Sequence, residues 1–310
     1  MAVSESWRRA RLWVAACRPG FLVVTLVAAT TGIAQSQACG CGWDPWGAAA
    51  TVVLALLTHA AVNLWNDYGD AIGGSDALNA GRIGPFTGGS RVIQDGIFTP
   101  LEVREMATSL ALVVVGGGLL LSARSGPGLL LVGLAGAFLG WAYSSPRLAL
   151  MSRGWGEAAT AAGWWLVVVG ADQVQRHGFS AVAMVSGLGL ALLVMNVLWV
   201  AEFPDARADA AVGKRTLVVR WGPRRAAAVY GLNALAAHAW VAAWWWGDVL
   251  PFTAWWALGS APLALGSALL LWRHALAPAR LRPAIALAIL AAVAHGALLT
   301  AAFVAVARLR

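Results

Sequence analysis

The chain is a succession of apolar stretches, each about as long as a bilayer is thick. A bilayer core of about 30 Å takes roughly 20 helical residues to cross. Nine such stretches can be marked: 19–36, 47–66, 106–123, 127–144, 157–172, 180–202, 226–246, 250–272 and 284–306. Two are short and interrupted, so eight crossings is the other count the pattern allows. Composition closes off a water-soluble alternative. Of the 310 residues, 60% are hydrophobic and 12% charged, where a soluble domain carries roughly 25% charged residues. In water such a chain would expose large adhesive patches. The expected fold is therefore all-α, a polytopic bundle of about nine transmembrane helices in the lipid bilayer, with residues 1–310 forming one domain. Gly133, Gly136 and Gly140 are expected where helices approach closely.

Charge sets an expected orientation. With the N-terminus in the cytoplasm and nine alternating spans, 18 of the 22 Lys and Arg fall on the cytoplasmic side. Only Arg124, Arg176, Arg308 and Arg310 fall outside. This is the positive-inside pattern, and it reads as a multi-pass protein of the inner (plasma) membrane. The net charge of +8 is thereby a topology signal. Nucleic acid is not an expected partner, because no module with a clustered basic face is present. The basic start, with Arg8, Arg9 and Arg11, resembles a signal n-region, but no Ala-x-Ala cleavage pattern follows, so the first span is expected to be retained. Cys39 and Cys41 flank a single glycine; a bridge there would be strained, so two free thiols are expected.

The acidic residues concentrate in two segments. Asp67, Asp70, Asp76 and Asp95 follow the second span; Glu202, Asp205 and Asp209 follow the sixth. Asn63, Asn66, Asp67 and Asp70 recur at i, i+3, i+4 and i+7, which is one helix face if the helix continues that far. Glu202, Asp205 and Asp209 also share a face, with Pro204 expected to break or kink the helix. Two such faces opposed would repel unless a cation neutralised them. Oxygen-only ligands select a hard ion such as Mg²⁺, which binds through one or two carboxylates together with substrate phosphates. Beside the acids lie Arg82, Arg91, Arg147, Arg153, Lys214 and Arg215, cations suited to a diphosphate and its leaving charge.

These residues resemble the UbiA superfamily of intramembrane prenyltransferases, across roughly residues 12–225, with the last three helices similar in hydropathy only. Arg18-Pro19 is similar to the family's opening Arg-Pro. Asn66-Asp67-Tyr68-Gly69-Asp70, Gly74-Ser75-Asp76 and Arg82-Ile83-Gly84-Pro85 look like its 1,4-dihydroxy-2-naphthoate branch. So do Tyr143-Ser-Ser-Pro146 and Arg153-Gly154-Trp155-Gly156-Glu157. Asp205-x-x-x-Asp209-x-x-x-Gly213-Lys214-Arg215-Thr216 resembles the second motif with its tail. The chain departs from the pattern at Gly74, where the usual spacing has an acid, at Glu202, where the branch often has Asn, and in Phe86-Thr87-Gly88-Gly89-Ser90.

The resemblance implies a bundle around a central cavity open sideways to lipid, and transfer of an isoprenyl chain from its diphosphate to an aromatic acceptor with Mg²⁺. It implies metal and diphosphate binding by Asn66, Asp70 and Asp76 from the first motif and by Glu202, Asp205 and Asp209 from the second. Asp67, Asp70, Asp205 and Asp209 are the expected catalytic acids. Substrate contacts are expected from Asn63, Asn66, Tyr68, Tyr143, Arg82, Arg91, Arg147, Arg153, Lys214 and Arg215. Trp164 and Trp165 are the expected cavity aromatics, and His59 is expected to be a hydrogen-bonded structural residue. Two other classes compete. A CDP-alcohol phosphotransferase carries its acids in one compact motif, whereas here they are split between distant loops. A transporter places ionisable groups in mid-span, whereas here the spans are nearly free of acids.

Overall fold

The computed structural model describes residues 2–309, with side chains from residue 6 onward. A short helix α1 (Ala2–Ala16) leads into α2 (Pro19–Cys39) and α3 (Pro45–Gly73). The one-turn α4 (Ser75–Leu78) and a loop over 79–99 follow, then α5 (Pro100–Ser125), α6 (Pro127–Ser144), α7 (Gly156–Arg176) and α8 (Ala181–Ala211). The chain ends with α9 (Leu217–Trp221), α10 (Pro223–Trp246), α11 (Ala261–His274, entered through a 3₁₀ segment Phe252–Ser260) and α12 (Arg282–Arg308).

Local sequence explains the helix ends. Proline opens α2, α3, α5, α6 and α10, where its missing N–H leaves no bond unmade. Asp44 caps α3 by accepting from the Trp46 N–H at 3.0 Å. Thr99 and Glu102 cap α5 reciprocally. Because α3 continues to Gly73, Asn63, Asn66, Asp67 and Asp70 all lie on helix, near its end. At Pro204, where a break or a kink is expected, the helix is not broken, and α8 runs on to Ala211. One missing N–H does not end a helix whose flanks, Val200, Phe203 and Ala208, are buried in the bundle.

Among the described residues, eight helices are long and apolar enough to cross a membrane: α2, α3, α5, α6, α8, α10, α11 with its 3₁₀ lead, and α12. The protein is a multi-pass integral membrane protein. The ninth expected span, 157–172, is α7, and it falls short in apolarity for a physical reason. Its Glu157, Thr160, Asp172, Gln173 and Gln175 are buried among neighbours, and α2, α6 and α8 pack around it. A helix shielded from lipid need not be apolar.

The other helices differ in what they face. Of the most apolar stretch, 67% is buried in α2 and 61% in α8, but only 6% in α5 and in α6. So α2, α7 and α8 form the interior, while α5 and α6 are an outer wall against lipid. Helices in lipid are drawn together by close packing rather than by apolar burial. The α2–α7 contact shows this: a Cβ on Gly32 would fall 2.3 Å from the Val168 carbonyl oxygen. Gly133 and Gly136, expected at helix contacts, have no neighbour within 4 Å of a Cβ position and instead line a cavity. Leu190, Tyr230, Leu271 and Ile285, from α8, α10, α11 and α12, form the dense half of the bundle. Trp43, Trp46 and Trp246 are exposed, as interface anchors are. Cys39 and Cys41 are joined in a disulfide rather than free; Gly40, at φ +74°, turns the chain so that the two sulfurs meet.

Candidate active site

Two adjoining cavities occupy the looser half of the bundle. One, of about 100 Å³, lies between the ends of α3 and α8 and is lined by Asn66, Asp70, Asp76, Asn79, Glu202, Asp205, Asp209, Lys214 and Thr216, among others. The second, of about 460 Å³, runs between α3, α5, α6, α7 and α8 along Leu54, Leu119, Leu130, Gly133, Gly136, Trp164 and Val167. Arg18, Asn66, Phe86, Tyr143, Leu198 and Ala201 line both, so they mark the junction of the polar and the apolar space.

The two acidic faces meet in the polar cavity. Lys214 bridges them, with Nζ donating to Asp70 Oδ1 and lying 3.3 Å from Asp209 Oδ1. Burial opposes its charge, but Asp70 and Asp209 outweigh burial and hold its pKa above the ordinary lysine value. Asn66 Nδ2 donates to Asp70 Oδ2 at 3.2 Å. Both oxygens of Asp205 are engaged by the segment after α4: Oδ1 accepts from Asn79 Nδ2 at 2.7 Å, and Oδ2 from the Gly88 N–H at 3.2 Å. Asp76 is 4% exposed. Burial, with Asp70 and Asp67 nearby, pushes its carboxyl up to about 7. Arg91 Nη1 donates to the Asp76 carbonyl at 2.6 Å, supporting this turn from behind.

Among the described residues, no three of His, Cys, Asp and Glu close on one point as a ready-made metal cage. The donors still suit a hard divalent cation: they are all oxygen, most are anionic, and Asn79 Oδ1 is buried on the cavity wall without a hydrogen-bond partner. Such a site is completed by phosphate oxygens, which is how Mg²⁺ is usually held.

Several expected residues stand elsewhere. Arg82, Arg147, Arg153 and Arg215 are exposed and line neither cavity. Arg153 donates to the Arg147 carbonyl at 3.0 Å, and the Arg215 N–H to the Ser152 carbonyl at 2.8 Å, so these two arginines brace the connecting segments. Tyr68 packs beside Trp65 and under the Arg104 guanidinium. Asp67 lies behind the cavity, accepting from the Ser90 N–H at 3.1 Å. Asn63 faces the apolar cavity and donates to the Cys17 carbonyl at 3.1 Å. Trp164 lines that cavity, whereas Trp165 turns away and donates to the Met184 carbonyl at 2.8 Å. His59 is within 2.8 Å of Thr25 Oγ1, as a structural histidine would be, and also meets the cavity.

Arg18 and Asn79 are the cavity residues that sequence reasoning missed, while Glu157, which lines neither cavity, is buried beside the polar one. Arg18 sits at φ +56° in the break between α1 and α2, an uncommon conformation for a non-glycine residue. That break turns it toward the cavities, and Arg-Pro between two helices was its only signal. Glu157 is 2% exposed and accepts from the Leu217 N–H at 3.3 Å.

Residues 21–290 match the UbiA prenyltransferase family. The chain belongs to that family. It is a transferase of isoprenyl groups, built within the membrane. It is similar to the 1,4-dihydroxy-2-naphthoate octaprenyltransferase of Mycobacterium tuberculosis (32% identity, 83% of this chain and 84% of the relative). It is also similar to the enzyme of that name in Escherichia coli (29%, covering 69% and 70%). The 2-carboxy-1,4-naphthoquinone phytyltransferase of Synechocystis is 26% identical, covering 77% and 75%. Among solved structures, a UbiA homologue from Archaeoglobus fulgidus superposes with a TM-score of 0.67 at 13% identity, over 96% of this chain and 99% of the other. The same homologue bound to GPP and Mg²⁺ gives 0.64, over 94% and 99%. These likenesses confirm the helical architecture.

Proposed function

We propose that this protein transfers an isoprenyl chain from its diphosphate to 1,4-dihydroxy-2-naphthoate, the prenylation step of menaquinone biosynthesis. The observation that carries the proposal is the joined pair of cavities, one small and acid-lined, one long and apolar. An isoprenyl diphosphate has that division of polarity within one molecule. The acceptor follows from relatives named for naphthoate substrates.

In this reading Asp70, Asp76, Asp205 and Asp209, with Asn66 and Glu202, hold Mg²⁺. Bound there, the ion supplies positive charge against the diphosphate oxygens. Lys214 and Arg18 hold the diphosphate and stabilise the charge it gains as it leaves. The ester C–O bond breaks at the junction by Tyr143 and Phe86, and pyrophosphate takes the bonding electrons. The apolar wall keeps water from the allylic cation. A ring carbon of the acceptor supplies the electron pair for the new C–C bond, and the ring's carboxylate departs as CO₂. The product leaves toward lipid past α5 and α6. The acidic cavity faces the cytoplasm of the inner (plasma) membrane, because that orientation puts most of the Lys and Arg inside.

The test uses purified protein in detergent with labelled geranylgeranyl diphosphate, 1,4-dihydroxy-2-naphthoate, and Mg²⁺ or EDTA. Prenylated naphthoquinol formed only with Mg²⁺ is the expected result. Pyrophosphate release without that product would overturn the acceptor. No release with any chain length, from folded protein, would overturn the whole reading.

A further inference from the structure

The segment between α4 and α5 reaches across the polar cavity to α8 through one side chain. Asn79 follows the last turn of α4, is 7% exposed, and donates from Nδ2 to Asp205 Oδ1 at 2.7 Å. That direction is fixed by chemistry, because a carboxylate can only accept from an amide. The other half of the amide, Oδ1, is buried with no partner although Asn79 lines the polar cavity. A buried carbonyl oxygen without a donor is costly. A site assembled from carboxylates has few donors to offer it, and a cation satisfies it directly.

We propose that Asn79 is a ligand residue of this site, offering Oδ1 as a neutral oxygen to the divalent cation while its N–H₂ holds Asp205 in place. One amide then joins the first acidic segment to the second. The inference rests on the reading of the cavity as a cation–diphosphate site and adds to it a residue outside both acidic motifs. Gly88 supports the same geometry: its N–H takes the second oxygen of Asp205, and a Cβ there would lie 3.1 Å from Asn79 Nδ2. Asp205 is thus held at both oxygens by one loop, through Asn79, Gly88 and Thr87.

The test measures Mn²⁺ binding to full-length protein in detergent by electron paramagnetic resonance, with pyrophosphate present and no turnover. Wild type, Asn79→Ala and Asn79→Asp are compared after thermal unfolding has shown each to be folded. Asn79→Ala should bind Mn²⁺ about 10- to 100-fold more weakly, the usual range for disturbing a metal's supporting shell. Asn79→Asp keeps an oxygen at the position and should bind within roughly threefold of wild type. It should also turn over more slowly, because Asp205 loses its donor. Asn79→Ala binding as tightly as wild type would overturn the proposal. So would tenfold weaker binding by Asn79→Asp, which decides alone if the alanine variant does not fold. Failure of wild type itself to bind Mn²⁺ would overturn the underlying reading of the site instead.

Discussion

Among the described residues, Lys214 is the only ammonium beside the carboxylates that line the polar cavity, and its removal gives two opposite effects. Lys214→Met keeps an unbranched apolar stem and removes the ammonium. The ammonium lies 3.3 Å from Asp209 Oδ1, with side-chain exposures of 12% and 10%. At an effective dielectric constant of about 20, that one pairing is worth about 5 kcal/mol before desolvation. Breaking a buried pair from one side typically costs 3–5 kcal/mol. In EDTA the variant should therefore be less stable by about 3 kcal/mol, which tryptophan fluorescence during unfolding would report. Added Mg²⁺ should stabilise the variant more than wild type, since the ion then neutralises carboxylates that no ammonium contests. Pyrophosphate binding should move the other way. A lost charge-assisted hydrogen bond of about 1.5–3 kcal/mol corresponds to roughly 10- to 150-fold weaker binding by calorimetry. Equal stability of the two proteins in EDTA, together with unchanged pyrophosphate affinity, would refute the reasoning.

Asp70→Ala and Asp205→Ala should each abolish transfer while leaving the helical content by circular dichroism unchanged; full activity in either folded variant would remove that residue from the site. The Asp76 carboxyl, near 7 in the absence of metal, must lose its proton to bind an ion. The Mg²⁺ concentration giving half-maximal rate should thus rise as pH falls from 8 to 6, and Asp76→Asn should flatten that dependence. Gly136→Phe places a ring in the apolar cavity, where a Cβ now meets open space. It should lower kcat/KM for geranylgeranyl diphosphate on the order of tenfold and leave dimethylallyl diphosphate nearly unaffected.

The helices were legible because membrane length and proline starts are local signals. So were the two acidic faces, since Asn66 and Asp70 need only a continuous helix to align. What a loop cation points at is not a local signal. Arg153 and Lys214 look alike in sequence, but Lys214 follows directly on α8 and folds back over it, whereas Arg153 ends a 3₁₀ turn that faces outward. Gly133 and Gly136 misled for a related reason: a small residue marks either a contact or a void, and only packing decides which. Arg18 and Asn79 stayed hidden because each depends on a backbone turn, at the α1–α2 break and after α4, that brings it toward residues distant in sequence.

The polarity of α7 also bears on how the protein is made. In α7, Glu157 and Asp172 sit near the two ends, the latter paired with Arg176 and flanked by Gln173 and Gln175, and the stretch between them is uncharged. As it leaves the ribosome, this segment still lacks the neighbours that bury its polar ends. The helix that covers it most intimately, α8, is synthesised after it. The polar ends of α7 therefore reach their final surroundings only once α8 has followed it. A chain truncated after α7 would leave that helix without the cover α8 gives it.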